Sequence, residues 1–302
     1  MIGNSVFLYM QAFTIKDIEN LTGIKAHTLR IWEQRYDLFT AKRKESKHRI
    51  YDNEDLKQLL RISFLYQSGW KVSKIAALTQ QQITDLVNQA TFGPVNFQAF
   101  INQLIEAALD FDEKRFITII NQVSDNIGFE RCVAELCYPF LLKIGLLWST
   151  NNVIPAQEHF TSYLIQNKII AETEKLEIKS NTPSIVLMSP EEEYHELPLL
   201  FINYLLKKSG WCTLYLGSNI STRQANEVLS RPGVHYLYIH TLTNFTGFAI
   251  DDYFENVCRT FHNKKIIASG EGVKKIQRSF VNLTILNSDL RIYDFIRNPP
   301  SN

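Results

Sequence analysis

The last third of the chain constrains the fold most. Five short apolar runs, SIVLMS (184–189), WCTLYL (211–216), HYLYIH (235–240), KIIAS (265–269) and NLTIL (282–286), read as strands. Helix-like stretches near 196–208, 221–230, 250–262 and 271–279 separate them, and a terminal helix is expected near 289–297. Such spacing suits right-handed βαβ crossovers and a parallel sheet. The expected unit is a doubly wound, five-stranded parallel (flavodoxin-like) domain, with its ligand crevice at the carboxyl ends of the strands.

Upstream the periodicity changes. Phe97, Phe100, Ile101, Leu104, Ile105 and Ala108 recur at helical spacing, as do Val133, Leu136, Cys137, Phe140, Leu141, Ile144 and Leu147. Four such helices predict a four-helix bundle over 95–178, set off by Phe92-Gly93-Pro94 before it and Ser180-Asn181-Thr182-Pro183 after it. The fold class is therefore multi-domain α and α/β. The boundaries read as 1–91, 95–178 and 183–298.

The first block reads as a winged helix-turn-helix. Thr14-Ile15-Lys16-Asp17 is a capping box that opens a short helix. Gly23 supplies a turn, a second helix runs from Ala26 to Arg35, and the polar run KRKESKHR (42–49) follows as a hairpin-like loop. Asp52 to Asp55 then cap a longer helix. The second helix would enter a major groove with His27, Thr28, Arg30 and Arg35, and the basic loop would neutralise phosphates. Charge gives weak support. Residues 1–80 hold 13 Lys/Arg against 8 Asp/Glu, whereas the other 222 hold 19 against 23. A solvated loop on any soluble domain explains the same composition equally well.

No run of about 18 apolar residues exists, which argues against a spanning helix. The start, MIGNSVFLYM, lacks a basic segment and a small-residue cleavage site, so a cytoplasmic chain is expected. The four cysteines form no CxxC. No Gly-rich phosphate loop, HExxH or clear catalytic triad stands out, so no enzyme is expected.

Residues 28–36, Thr-Leu-Arg-Ile-Trp-Glu-Gln-Arg-Tyr, followed by Arg49-Ile50-Tyr51 and Asp55-Leu56, make the head resemble the DNA-binding domain of MerR-family transcription regulators over about 70 residues. The resemblance implies base contacts near His27 and Arg30, and phosphate contacts from Arg43, Arg49 and Tyr51; the charge of the basic loop adds Lys47. Trp32 and Tyr36 can equally be core. Lys25 stands where Ser or Thr usually caps the recognition helix, and the wing lacks its usual Pro and Gly.

Two further motifs lie in the body. Trp148, nine residues, then Glu158-His159 is one; taken alone, the Trp reads as core and the pair as solvated. Glu193-Tyr194-His195-Glu196-Leu197-Pro198, after the first strand, is the other. A carboxylate two residues before a His can hold one imidazole nitrogen and present the other to a metal. Together they resemble the cobalamin-binding module of light-responsive, cobalamin-dependent MerR-type repressors, over about residues 95–290. The resemblance implies that Trp148, Glu158 and His159 cap the upper axial group, that His195 ligates cobalt with Glu193 behind it, and that Gly217, Thr241, Gly270 and Gly272 line the cofactor site. It also implies a DNA operator and self-association as dimer or tetramer. The sequence departs from the family pattern. Pro198 stands where Gly lets the corrin approach, His240-Thr241-Leu242 replaces Ser-x-Leu, and Ser269-Gly270-Glu271-Gly272 replaces Gly-Gly; the last two motifs shape the slot for the nucleotide tail. A cofactor-free regulator and, because the body also resembles corrinoid methyltransfer proteins, a corrinoid carrier or enzyme remain as alternatives.

Overall fold

A computed structural model describes residues 13–39, 42–43, 49–89, 96–149, 155–177, 184–231, 233–242 and 249–298. The chain divides into two compact units, 1–164 and 165–302.

The first unit opens with β1 (Phe13–Thr14), α1 (Ile15–Thr22) and α2 (Ala26–Tyr36). The expected capping box is present: Thr14 Oγ1 accepts from Asp17 N, and the Asp17 carboxylate accepts from Thr14 N. Gly23, at φ 73°, ends α1 in the left-handed region that a side chain disfavours. Strands β2 (Lys42–Arg43) and β3 (Arg49–Tyr51) form the wing, and β1 joins them antiparallel in the order β1-β3-β2. Asp52 and Asp55 form a second capping box at the start of α3 (Asn53–Gln67), which is followed by α4 (Val72–Ile75) and α5 (Gln80–Gln89).

The bundle follows as α6 (Phe97–Leu109), α7 (Glu113–Ile127), α8 (Phe129–Cys132), a π turn (Val133–Cys137), α9 (Tyr138–Ser149) and α10 (Pro155–Glu174). Apolar stripes of α6, α7 and α9 close its core around Leu104, Ile105, Phe116, Phe140 and Ile144. Head and bundle are also joined by polar contacts. Glu106 on α6, 1 % exposed, accepts from Arg61 on α3 (2.8 Å) and Arg115 on α7 (3.2 Å). Lys57 pairs with Asp110, and Asn102 donates to Leu60 O at 3.3 Å. Lys143 Nζ on α9 donates to Leu21 O at 2.8 Å, and burial pulls its pKa down to about 8.

The second unit carries β4 (Ser184–Pro190), α11 (Leu197–Lys208), β5 (Cys212–Ile220), α12 (Thr222–Leu229), β6 (Val234–His240), α13 (Ile250–Thr260), β7 (Lys265–Ser269), β8 (Leu283–Leu286) and α14 (Asp289–Arg297). The five strands pair parallel in the order β5-β4-β6-β7-β8, the expected doubly wound topology. Val186, Met188, Leu237, Ile239, Ile266 and Ala268 pack against α12 and α13. The helix expected over 271–279 is absent. A 3-10 turn, Gly272–Lys275, stands there, and beyond it the Asp251 carboxylate accepts from Gln277 N and Arg278 N, both at 3.0 Å. Those backbone donors are satisfied without helical pairing.

Candidate functional site

On α2, Leu29 and Trp32 face inward, and Trp32 meets Tyr66 edge-on at 4.8 Å. His27, Arg30 and Arg35 are exposed and Thr28 is half-buried, so the outer face presents the polar residues expected to meet DNA. Lys25 makes no side-chain cap. Glu19 of α1 supplies one instead: its Oε2 accepts from Ala26 N at 3.1 Å while Oε1 holds Lys25 Nζ at 3.0 Å. The sequence reading missed this role because the two residues lie on different helices.

The wing differs from expectation in two places. Arg49 Nε pairs with Glu33 Oε2 at 2.7 Å, which ties the wing to the recognition helix. Tyr51 is buried, stacks obliquely on Phe39, and its hydroxyl is enclosed without a hydrogen-bond partner. A phosphate contact from that hydroxyl does not fit its burial, and the ring belongs to the core. Arg43 is carried on β2; Lys47 lies outside the described residues.

In the second unit, the loop after β4 builds a histidine site. Glu193 has no exposed surface. Its Oε1 accepts from His195 N at 3.1 Å and lies 2.7 Å from His195 Nδ1, and its Oε2 accepts from Leu242 N at 2.9 Å. Both carboxylate oxygens already accept backbone N–H groups, so the pair is satisfied when Nδ1 donates to Oε1, and Nε2 then carries the lone pair. That tautomer suits a metal ligand. The His195 ring itself is more than half exposed.

Asn219, not anticipated from sequence, pins this loop to the end of β5. Its side chain accepts from Glu192 N at 2.9 Å and its own N–H donates to Glu193 O at 3.0 Å. Gly217 bends β5 at φ 90°, where an added Cβ would lie 3.1 Å from Glu196 Oε1. Across the sheet, Thr241 N donates to Ser269 O and Gly272 N to Thr241 O, both at 3.0 Å. An added Cβ on Gly270 would lie 2.1 Å from Thr241 O, so only glycine fits. Glu193, His195, Thr241, Gly270 and Gly272 therefore gather at the carboxyl ends of β4, β6 and β7, with Gly217 on β5.

His240 is almost wholly buried. Its Nδ1 lies 2.9 Å from Ser269 Oγ, and burial pulls its pKa down to about 4, which keeps it neutral. In the first unit, Trp148 lies in the last turn of α9, and Glu158 and His159 lie near the start of α10 with Oε2 and Nδ1 3.6 Å apart.

The family model of MerR HTH regulatory proteins matches residues 13–82, and that of the B12 binding domain matches residues 100–171. The chain thus carries a MerR-type helix-turn-helix head, followed by a segment that matches the B12 binding domain. The chain is 22% identical to the HTH-type transcriptional repressor CarH of Myxococcus xanthus over 216 residues, covering 70% of this chain and 72% of CarH. It is 28% identical to the repressor CarA of the same organism over 207 residues, covering 68% of each. Both relatives are transcriptional repressors. The monomethylamine corrinoid protein of Methanosarcina barkeri superposes with a TM-score of 0.53 at 10% identity, over 66% of this chain and 98% of that one, which establishes the fold of the body.

The B12 binding match points to cobalamin, and the histidine loop fits the metal of that group. The Glu193–His195 pair offers one oriented nitrogen ligand. Three buried polar atoms without partners, Ser189 Oγ, His240 Nε2 and Thr241 Oγ1, sit at the ends of β4 and β6, where a polar ligand would be met. Among the described residues no helix is long and apolar enough to cross a membrane.

Proposed function

We propose that the regulator is a cytoplasmic repressor whose self-association on its operator is governed by cobalamin. Its working parts are the head over 1–91, the bundle over 95–178 and the α/β domain over 183–298. His27, Thr28, Arg30 and Arg35 read bases and phosphates from α2, and Arg43 and Lys47 add wing contacts to the backbone. Arg49 sets the wing's angle through Glu33. His195 supplies the cobalt ligand, and Glu193 holds its proton at Nδ1. Gly217, Thr241, Gly270 and Gly272 shape the crevice, and Trp148, Glu158 and His159 cover the upper face. Bound adenosylcobalamin supplies a cobalt–carbon bond that light breaks. The chain's part is to couple occupancy of that upper face to assembly, since a ligand that favours the assembled state strengthens operator binding by linkage.

The observation that carries this reading is the buried Glu193 carboxylate, which fixes the His195 tautomer. CarH and CarA support the repressor role. The test is an absorption spectrum and light-scattering mass of the full chain with adenosylcobalamin, in the dark and after illumination. A bound corrin spectrum and a mass that falls on illumination are expected, and His195→Ala is expected to lose the bound spectrum. A constant mass under light removes the photoreceptor part. A second reading, a regulator that uses the body for protein interaction without cofactor, draws on the crowding by His240, and a colourless protein after incubation with cobalamin selects it.

A further inference from the structure

Cobalamin carries a nucleotide tail whose aromatic base is its own lower cobalt ligand. A protein histidine takes that position only when the base leaves, and the displaced base must then enter a slot in the protein or stay in solvent. The second unit of this chain shows what fills the α14 side of the sheet whose carboxyl ends carry the histidine loop.

Residues alternate between the faces of a strand. Leu237 and Ile239 of β6 point to α12 and α13, so Tyr236, Tyr238 and His240 point to the opposite face. That face is filled by rings. Trp211 meets Tyr236 at 5.4 Å and Phe295 of α14 at 5.3 Å, and Tyr238 meets Phe295 at 6.0 Å. The Trp211 indole N–H donates to Ile296 O at 3.0 Å, which fastens α14 over the ring cluster. Trp211 and Tyr238 are buried. The upper end of the face, at the crevice, is closed by a hydrogen-bonded chain: Tyr238 OH donates to Ser269 Oγ at 2.8 Å, and Ser269 Oγ holds His240 Nδ1. The imidazole is held in one orientation and stands where the related pattern has a serine. On the adjoining strand end, the Thr241 carbonyl covers the open side of Gly270. The bulk on this face is thus bonded in place and does not consist of loose side chains that a planar base could push aside.

We propose that this chain holds a corrinoid with the nucleotide tail outside the protein, so that the site selects the corrin ring and its upper group and is indifferent to the lower base. The inference rests on the cobalamin reading above. It makes tail-less corrinoids full ligands, along with corrinoids bearing bases other than dimethylbenzimidazole.

The test is a titration of the full-length chain with hydroxocobalamin and, separately, with aquocobinamide, which lacks the tail, followed by corrin absorption and equilibrium dialysis. The expected result is a cobinamide dissociation constant equal to or below that of cobalamin, within about threefold if equal. The benzimidazole proton resonances of bound cobalamin are expected to stay narrow, as for a group in solvent. Cobalamin binding more than about tenfold tighter than cobinamide, or broadened base resonances, overturns the proposal and leaves the cofactor reading intact. Binding of neither corrinoid overturns the cofactor reading, and the proposal with it.

Discussion

Glu193 shows how much of the site is local. Its contacts to the backbone and ring of His195 span two residues, so a Glu-x-His spacing after a strand was enough to anticipate them. Its contact to Leu242 spans 49 residues and exists only because β4 and β6 pair. Glu193→Gln keeps the shape but replaces one acceptor oxygen by a donor. Corrinoid affinity is expected to fall by about tenfold or more, as for other groups that orient a metal ligand, measured by absorption titration. Asn219 and Ser269 were illegible for the same long-range reason, and Tyr51, given a phosphate contact by resemblance alone, is buried beside Phe39. His240 yields a prediction about pH. Its folded pKa lies near 4 against an ordinary 6.5, so the unfolded chain takes up a proton first as the solution is acidified. Stability from this residue is fully present above about pH 6.5 and is lost down to about pH 4, by roughly 2–3 kcal/mol in total. Urea unfolding from pH 7 to 4.5 is expected to show that loss, and His240→Asn to show a smaller one. Equal slopes in the two proteins would remove His240 as its source.

At the scale of elements, helix starts were legible wherever the cap lay in the same segment. The capping boxes at Thr14 and Asp52 formed as read. The recognition helix was the exception, because its cap comes from Glu19, a full helix away. Glu19→Ala is expected to lower the thermal midpoint of the first unit, because it removes the acceptor that caps α2. The 271–279 stretch shows the converse: its composition suits a helix, but the Asp251 carboxylate takes the backbone donors of residues 277 and 278. The doubly wound parallel topology followed from apolar runs and crossover lengths, whereas the register shifts along β4 did not. The docking of α3 on α6 could not be read, since charged pairs on two helices give no signal until the helices meet. Glu106 is the centre of that contact, and removing it leaves Arg61 and Arg115 without their shared anion. Glu106→Ala is expected to cost about 3 kcal/mol in chemical unfolding, whereas Glu135→Ala, which breaks an exposed pair with Arg131, is expected to leave the unfolding midpoint unchanged.

At the scale of the whole chain the question is whether the DNA-reading and corrinoid-binding ends share one free energy. The structure gives the first unit a means of sharing it. Lys143 lies on α9, the helix that ends near Trp148, and donates to the last turn of α1, which precedes the recognition helix. Any ligand that shifts α9 must therefore either carry α1 with it or break a half-buried lysine contact. If corrinoid raises operator affinity by some factor, operator must raise corrinoid affinity by the same factor, because the two paths around the binding cycle have equal free energy. The measurement is corrinoid affinity in the dark with and without saturating operator duplex, paired with operator affinity with and without corrinoid. Both ratios are expected to exceed about fivefold and to agree with each other, and Lys143→Met is expected to lower both together. Ratios of one in both directions would mean that the two ends act independently, however tightly each binds its ligand.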